Sequence, residues 1–399
     1  MSMTTLSDLR RRLELLALFR DLRCDPVVEA LRAYLLAREQ EPEDRTTAAY
    51  AEFVSRLYRC GGDLGAHIQA LCHNSENAYV RLLGAGQTPS AVMEECLIAE
   101  LNTLQAVARL TPARLQEGLA WQGFLPGFST CNPELREEYL ARTRDIGKYG
   151  YGIYACNRMF YLDESGRIVP VTHPDPIRME DLVDYEWERQ KLLDNTLALL
   201  AGKPAANALL TGDAGTGKSS TVKAIVNALY EQGLRVIEVR KDQLAAIPRI
   251  LDELAVNPLK FILFIDDLSF RKDDDTFNGL KAVLEGSVSA RSHNVVVYAT
   301  SNRRHIIKER FSDREGDDVH RNDTMQELIS LSERFGLHIT FQKPDKKTYL
   351  HIVHHFAEED GIGMEDAELD LLAERFALER GGRSARLARQ FVDSLRSKL

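Results

Sequence analysis

No stretch of the chain reaches the roughly 18 uninterrupted apolar residues that a membrane-spanning helix needs. The start, MSMTTLSDLRRRLELLALFR, is charged and amphipathic and lacks the apolar core of a secretory signal. The 25 glycines and 13 prolines among 399 residues are too few for a collagen-like or low-complexity chain. Positive charge is short as well: 51 Lys and Arg face 60 Asp and Glu, leaving a net charge of −9. That balance argues against a generally basic nucleic-acid binder, although a local patch would survive it. Cysteine is confined. All six (Cys24, Cys60, Cys72, Cys96, Cys131 and Cys156) precede residue 157, and none stands at zinc-site spacing from another. These absences leave a cytoplasmic chain of two or three domains, with no membrane association, whose halves differ in make-up.

What is present begins with helices. Apolar residues recur at helical spacing in Leu13, Leu16, Leu18 and Phe19, and again in Phe53, Val54, Leu57 and Tyr58, so residues 1–122 read as a helical N-terminal domain. Thr88-Pro89 and Thr111-Pro112 each place a hydroxyl before a proline, the pattern of a helix start, and the second helix should end near Trp121. Residues 123–174 form an aromatic and glycine-rich connecting segment. Tyr149, Tyr151, Tyr154, Phe160 and Tyr161 crowd there, and Met159 to Leu162, Asp163 to Gly166 and Arg167 to Val171 read as strand, turn and strand. His173-Pro174-Asp175-Pro176 marks a boundary, since residues before proline avoid the helical region.

Residues 175–343 alternate strand with helix. Continuous apolar runs at 208–211, 235–239, 261–265, 295–300 and 337–341 are separated by helical patterns at about 217–232, 244–255, 275–289 and 324–334. Strands buried on both faces and joined by helices specify an α/β fold with a parallel five-stranded sheet flanked by helices. Residues 344–399 carry no strand pattern and read as a small helical lid.

The chemistry sits in that α/β region. Gly212-Asp213-Ala214-Gly215-Thr216-Gly217-Lys218-Ser219, with Ser220 next, matches the full phosphate-loop pattern between an apolar strand and an amphipathic helix. Its backbone N–H groups would wrap a β-phosphate, Lys218 would reach the β- and γ-oxygens, and Ser219 would ligate Mg²⁺. Phe261 to Ile265 runs straight into Asp266-Asp267. Carboxylates at a buried strand's end cost free energy unless a cation or donor answers them. Asp266 would hold the Mg²⁺ through water and Asp267 would act as general base toward an attacking water.

In this order the motifs resemble the AAA+ ATPases over roughly residues 175–399. The resemblance implies further roles. Asn302, at the end of Val295–Ser301, would be the sensor 1 residue that positions the lytic water. Arg334, in SLSERFG, would be an arginine finger acting on a neighbouring subunit. Arg386, in GGRSARLARQFVD, would be the sensor 2 arginine, with Arg383 and Arg389 as alternative registers. Val183, with Ile177 and Leu182, would cover the adenine. The stretches LTGDAGTGKSSTVKA, FILFIDDLSF, LKAVLEG and YATSNRRH are similar to a bacterial family of predicted AAA+ ATPases of unknown function. The resemblance implies ATP and Mg²⁺ as ligands, a homo-oligomer in the form of a ring and an unidentified protein partner held through residues 1–174. Its action would be to remodel or load that partner, or alternatively to serve as a nucleotide-dependent switch or scaffold with little hydrolysis.

Two departures matter. Most AAA+ enzymes place Glu where this chain has Asp267, one methylene shorter. The segment after the second strand of this sheet, RKDQLAAIPRILDELAVN, lacks the aromatic pore loop of protein-threading machines and offers only Arg240 and Lys241. Arg303, Arg304, Arg310 and Arg314 are interleaved with Asp313, Glu315, Asp317 and Asp318, so nucleic acid is the less favoured partner. His351, His354 and His355 stand at one-turn spacing, but without a third ligand nearby they read as ordinary lid-helix residues rather than a zinc site.

Overall fold

A computed structural model describes residues 5–268, 293–302 and 333–397. The helix expected at 275–289, residues 324–332 of that expected at 324–334, and Arg303, Arg304, Arg310 and Arg314 lie outside the described residues. The chain divides into two compact units, Met1–Cys156 and Asn157–Leu399. No helix of the described residues is long and apolar enough to cross a membrane.

The first unit is helical and contains all six cysteines, none in a disulfide. Its long helices are Pro26–Gln40, Glu43–Tyr58, Leu64–Asn74 and Ala91–Ala108. Leu13, Leu16 and Phe19 meet Leu31, Tyr34, Phe53, Leu57 and Leu104 in one core. Tyr58, expected inside, is exposed and donates its hydroxyl to the Gly127 carbonyl at 2.6 Å. Helix starts are set by short polar caps. Asp25 accepts from Val27 and Val28, and Thr111 accepts from Arg114 as expected. Thr88-Pro89 does not start a helix; Ser90 does, because its hydroxyl accepts from the Met93 N–H. The helix after Thr111 ends at Gln116, short of Trp121, where Glu117 turns extended and Gly118 takes a positive φ.

One buried carboxylate organises this unit. Glu100, 6% exposed on helix Ala91–Ala108, accepts from the backbone N–H groups of Ala17, Leu18 and Phe19 at 2.7, 3.1 and 2.9 Å. The turn at 16–19 has no helical ladder to satisfy those donors, so the carboxylate substitutes for one.

The second unit is built on a seven-stranded sheet. Its strands are β1 (Met159–Leu162), β2 (Ile168–Pro170), β3 (Ala208–Gly212), β4 (Leu234–Glu238), β5 (Lys260–Ile265), β6 (Val295–Ser301) and β7 (Leu337–Phe341). They lie in the order β2-β1-β4-β5-β6-β3-β7, parallel except for the β1–β2 hairpin. The five expected strands are there within a residue at each end. The sheet has seven rather than five because the hairpin joins it, Met159 to Tyr161 pairing with Val236 to Glu238. Segment 123–174 is accordingly shared: Tyr151 joins the core of the first unit, and Phe160 is buried on β1.

The hairpin turn is held by Asp163, whose carboxylate accepts from the Ser165 hydroxyl and from the N–H groups of Ser165 and Arg167. Those bonds, the Ser165 hydroxyl foremost, hold its carboxyl well below the usual range. The hairpin also fastens the segment after β4. Gln243 Nε2 donates to the Leu162 and Asp163 carbonyls at 3.1 and 3.0 Å, Arg249 donates to the Gly166 carbonyl, and Arg240 pairs with Asp242.

Helix Lys218–Leu229 follows β3, and a lid of three helices, Lys346–Glu359, Asp366–Glu379 and Ala385–Arg396, closes the chain. The lid has its own core of Tyr349, Ile352, Val353, Ala373, Phe391 and Val392. Two of the three lid histidines are taken by carboxylates: His351 lies 3.3 Å from Asp184, and His354 Nε2 lies 2.7 Å from Asp370.

Removing the Glu100 carboxylate leaves three backbone donors without their acceptor. Glu100→Ala is expected to lower the stability of the first unit by about 3 kcal/mol, read as a shifted midpoint of its urea unfolding transition.

Candidate functional site

The parallel order of the strands brings the carboxyl ends of β3, β6 and β5 side by side. Thr211 is paired with Ser301, and Ile265 with Ala299, so Gly212, Asn302 and Asp266 emerge from neighbouring strand ends. Residues 84 positions apart in sequence thereby come into direct contact.

Glycine is required at two points of the loop. A Cβ on Gly212, at φ +141°, would stand 2.0 Å from the Phe341 carbonyl oxygen of β7. A Cβ on Gly215, at φ +79°, would meet Arg386 Cβ at 3.0 Å and Ser384 Oγ at 3.1 Å. The lid thus packs directly on the loop, and the Arg386 N–H donates to the Gly215 carbonyl at 3.3 Å. Ala214 is exposed, Thr216 is buried with its hydroxyl on the Asp213 carbonyl, and Ser220 is half-buried on the following helix.

Lys218, 5% exposed, is the centre of the site. Its Nζ donates to the carbonyls of Gly212 (2.9 Å) and Asp213 (2.8 Å) and to Asn302 Oδ1 (3.1 Å). Burial lowers its pKa, while Asp213, Asp266 and Asp267 oppose that shift. Asn302 also donates through Nδ2 to Asp267 Oδ1 at 2.8 Å, so one amide bridges the ammonium and the carboxylate. Asp266 Oδ1 accepts from Ser219 Oγ at 2.6 Å and from Thr300 Oγ1 at 2.5 Å. A hydroxyl and a carboxylate joined beside the backbone amides of the glycine-rich loop are the hard oxygen donors that suit Mg²⁺. The residues therefore fit the Mg-nucleotide that the loop pattern implies.

Asp267 has φ +53°, a left-handed backbone. Among non-glycine residues this region favours Asn and Asp, whose short polar side chains bond locally, over a longer Glu. The turn geometry is thus a physical reason for aspartate at this place.

The three lid arginines separate by their partners. Arg383 forms a two-pronged pair with Glu374 at 2.8 and 2.7 Å. Arg389 is held by Asp360 at 2.9 Å and Asp393 at 3.1 Å. Arg386 has no ion pair among the described residues and is the second residue of the helix that abuts Gly215. Val183 packs against the lid core, and Ile177 gives its carbonyl to Asn227 of the phosphate-loop helix at 2.7 Å, while Leu182 gives its own to Arg189. Arg334 stands half-buried three residues before β7. Thr300 and Ser384 were not singled out from the sequence. The one signal for Thr300 was a hydroxyl near the end of the otherwise apolar run VVVYAT.

A phosphate loop on β3, a strand ending in two carboxylates, an amide-ended strand between them and a helical lid seated on the loop define the AAA+ class of nucleotide-binding fold. Within it the chain belongs to the family described as protein of unknown function DUF815, which matches residues 155–399. No curated protein matches the chain. Among solved structures, the Thermotoga maritima RuvB Holliday junction branch migration motor is 19% identical, with a TM-score of 0.38 over 56% of this chain. That match spans 65% of the motor, just under two thirds of its length. The FIGL-1 AAA domain in complex with ADP is 16% identical, with a TM-score of 0.39 over 55% of this chain and 72% of its own. At these values neither likeness bears on substrate or partner.

The lid contacts assign different roles to two neighbouring arginines. Arg383→Ala should cost about 1 kcal/mol by breaking the pair with half-buried Glu374, whereas Arg386→Ala should leave the thermal unfolding midpoint within a degree or two. Differential scanning calorimetry of both variants separates these outcomes.

Proposed function

We propose that this protein binds ATP with Mg²⁺ and hydrolyses it, working in the cytoplasm as an oligomer that remodels or loads a protein partner held through residues 1–174. The observation that supports the chemistry best is the hydrogen-bonded set of Lys218, Asn302 and Asp267, joined through Thr300 to Asp266 and Ser219. A lysine buried among carbonyl oxygens at a strand end is one whose positive charge can be turned over to phosphate oxygens.

In this reading the N–H groups of residues 213–219 and Lys218 hold the β- and γ-phosphates. Ser219 and Asp266 would hold the metal, which when bound neutralises charge on the β- and γ-phosphoryl oxygens. Asn302 and Asp267 orient a water in line with the γ-phosphorus. The new P–O bond forms as the bond to the ADP oxygen breaks, and Asp267 accepts the water's proton. Arg386 reaches the phosphates from the lid. Arg334, supplied by a neighbouring subunit, spreads the transition-state charge, which makes turnover depend on assembly. Val183, packed against the lid core, would border the base.

A second reading has one observation behind it. Asp267 carries a short side chain on a left-handed turn and is already engaged by Asn302, which favours a slow switch or scaffold over a fast motor.

Steady-state phosphate release measured across protein concentrations, with size determination in the same buffers, tests both readings. Turnover per subunit is expected to rise with assembly, to fall to background in Lys218→Ala and to drop by about 10³-fold in Arg334→Ala. ATP-dependent assembly without turnover would select the switch, and turnover equal to the Lys218→Ala background at every concentration would remove hydrolysis from the proposal.

A further inference from the structure

Both aspartates of the site, one through its carboxylate and one through its backbone N–H, are bonded to one hydroxyl that belongs to neither the phosphate loop nor the acidic pair. Thr300 is the penultimate residue of β6 and is 2% exposed. Its Oγ1 donates to Asp266 Oδ1 at 2.5 Å and accepts from the Asp267 N–H at 2.9 Å. Its carbonyl accepts from the Leu268 N–H at 2.7 Å. Three consecutive residues of the acidic turn are therefore anchored on a single residue of the adjacent strand.

The direction of these bonds is not adjustable. A backbone N–H can only donate, so the hydroxyl must accept from Asp267. Its single proton is then left for Asp266, and an ionised carboxylate can only accept. Asp266 Oδ1 thus receives two hydroxyl bonds, one from Thr300 and one from Ser219. Asp267 adds a second demand. Its left-handed φ of +53° is a conformation that non-glycine residues hold only when their surroundings over-determine it. The bonds from residue 267 and 268 amides to Thr300, with Asn302 on the Asp267 side chain, supply that over-determination.

From this geometry we infer that Thr300 is a positioning residue for the acidic pair: its hydroxyl orients Asp266 toward Ser219 and fixes the turn that aims Asp267 at Asn302. The inference rests on the Mg-ATP reading of the site, and it adds that the pair's geometry is set from β6 rather than by the acidic turn itself. Thr300 touches neither the phosphate loop nor a reacting atom, and it acts through the two aspartates.

Thr300→Val keeps the shape of the side chain and removes both side-chain bonds, while Thr300→Ser keeps the hydroxyl. The test measures two things on the full chain: the Mg²⁺ midpoint for binding a fluorescent N-methylanthraniloyl-ATP, and the kcat and KM for ATP hydrolysis. Thr300→Val is expected to raise the Mg²⁺ midpoint about fivefold or more and to lower kcat about 30-fold, with KM for ATP within threefold, as loss of oriented groups predicts. Thr300→Ser is expected to restore both to within about threefold of the parent. An unchanged Mg²⁺ midpoint in folded Thr300→Val overturns the inference. So does a Thr300→Ser variant as impaired as Thr300→Val, because packing of the methyl group would then be the cause. Should the parent chain hydrolyse nothing above the Lys218→Ala background, hydrolysis alone is lost, and the Mg²⁺ midpoint still decides the role of Thr300.

Discussion

Almost everything in the α/β unit follows from placing one ammonium group where water hardly reaches it. Lys218 is buried at the amino end of its helix, and such a charge is tolerable only when acceptors surround it. Two come from the loop that precedes it, the carbonyls of Gly212 and Asp213. The third, Asn302, comes from a strand inserted between β3 and β5. Satisfying the lysine therefore requires the sheet to be in this order. A sheet that paired β3 directly with β5 would leave β6 elsewhere and Asn302 out of reach.

The same insertion settles the acidic turn. A carboxylate pair at the end of β5 repels itself and has no internal donor, and β6 is the strand beside it. Thr300 and Asn302, two residues apart on that strand's end, project toward Asp266 and Asp267 as strand alternation requires. The left-handed backbone at Asp267 then gives a physical reason for a short aspartate at this place. The lid adds its own contact from the opposite side, and the missing Cβ of Gly215 is the space in which Ser384 and Arg386 sit.

Legibility in the sequence differed by length scale. Strands β3 to β7 were readable to within a residue because each is a run of apolar residues buried on both faces, which no surface helix imitates. The loop residues were readable because spacing and glycine content carry the mechanism. The hairpin was readable as a hairpin, but its pairing with β4 was not, since nothing local to Met159–Leu162 names a partner some 75 residues on. Ser90 displaced Thr88 as a cap for a similar reason: both precede an apolar run, and only the position of the first turn decides between them. The resemblance favoured Arg386 among the lid arginines but left Arg383 and Arg389 as alternative registers. Their carboxylate partners, Glu374 on one side and Asp360 with Asp393 on the other, leave Arg386 as the one facing the loop.

Taken by itself, the sequence determined the elements and the chemical types: an α/β nucleotide unit behind a helical, cysteine-bearing one, a phosphate loop, two carboxylates and an amide. Periodicity and short-range spacing are properties of a contiguous chain, so these survive without coordinates. The tertiary structure decided which of those groups touch, because strand order is set by long-range packing that leaves no local mark. It seated Glu100 under a distant turn, joined the hairpin to the sheet and made Thr300, an unremarked residue of an apolar strand, the support of both aspartates.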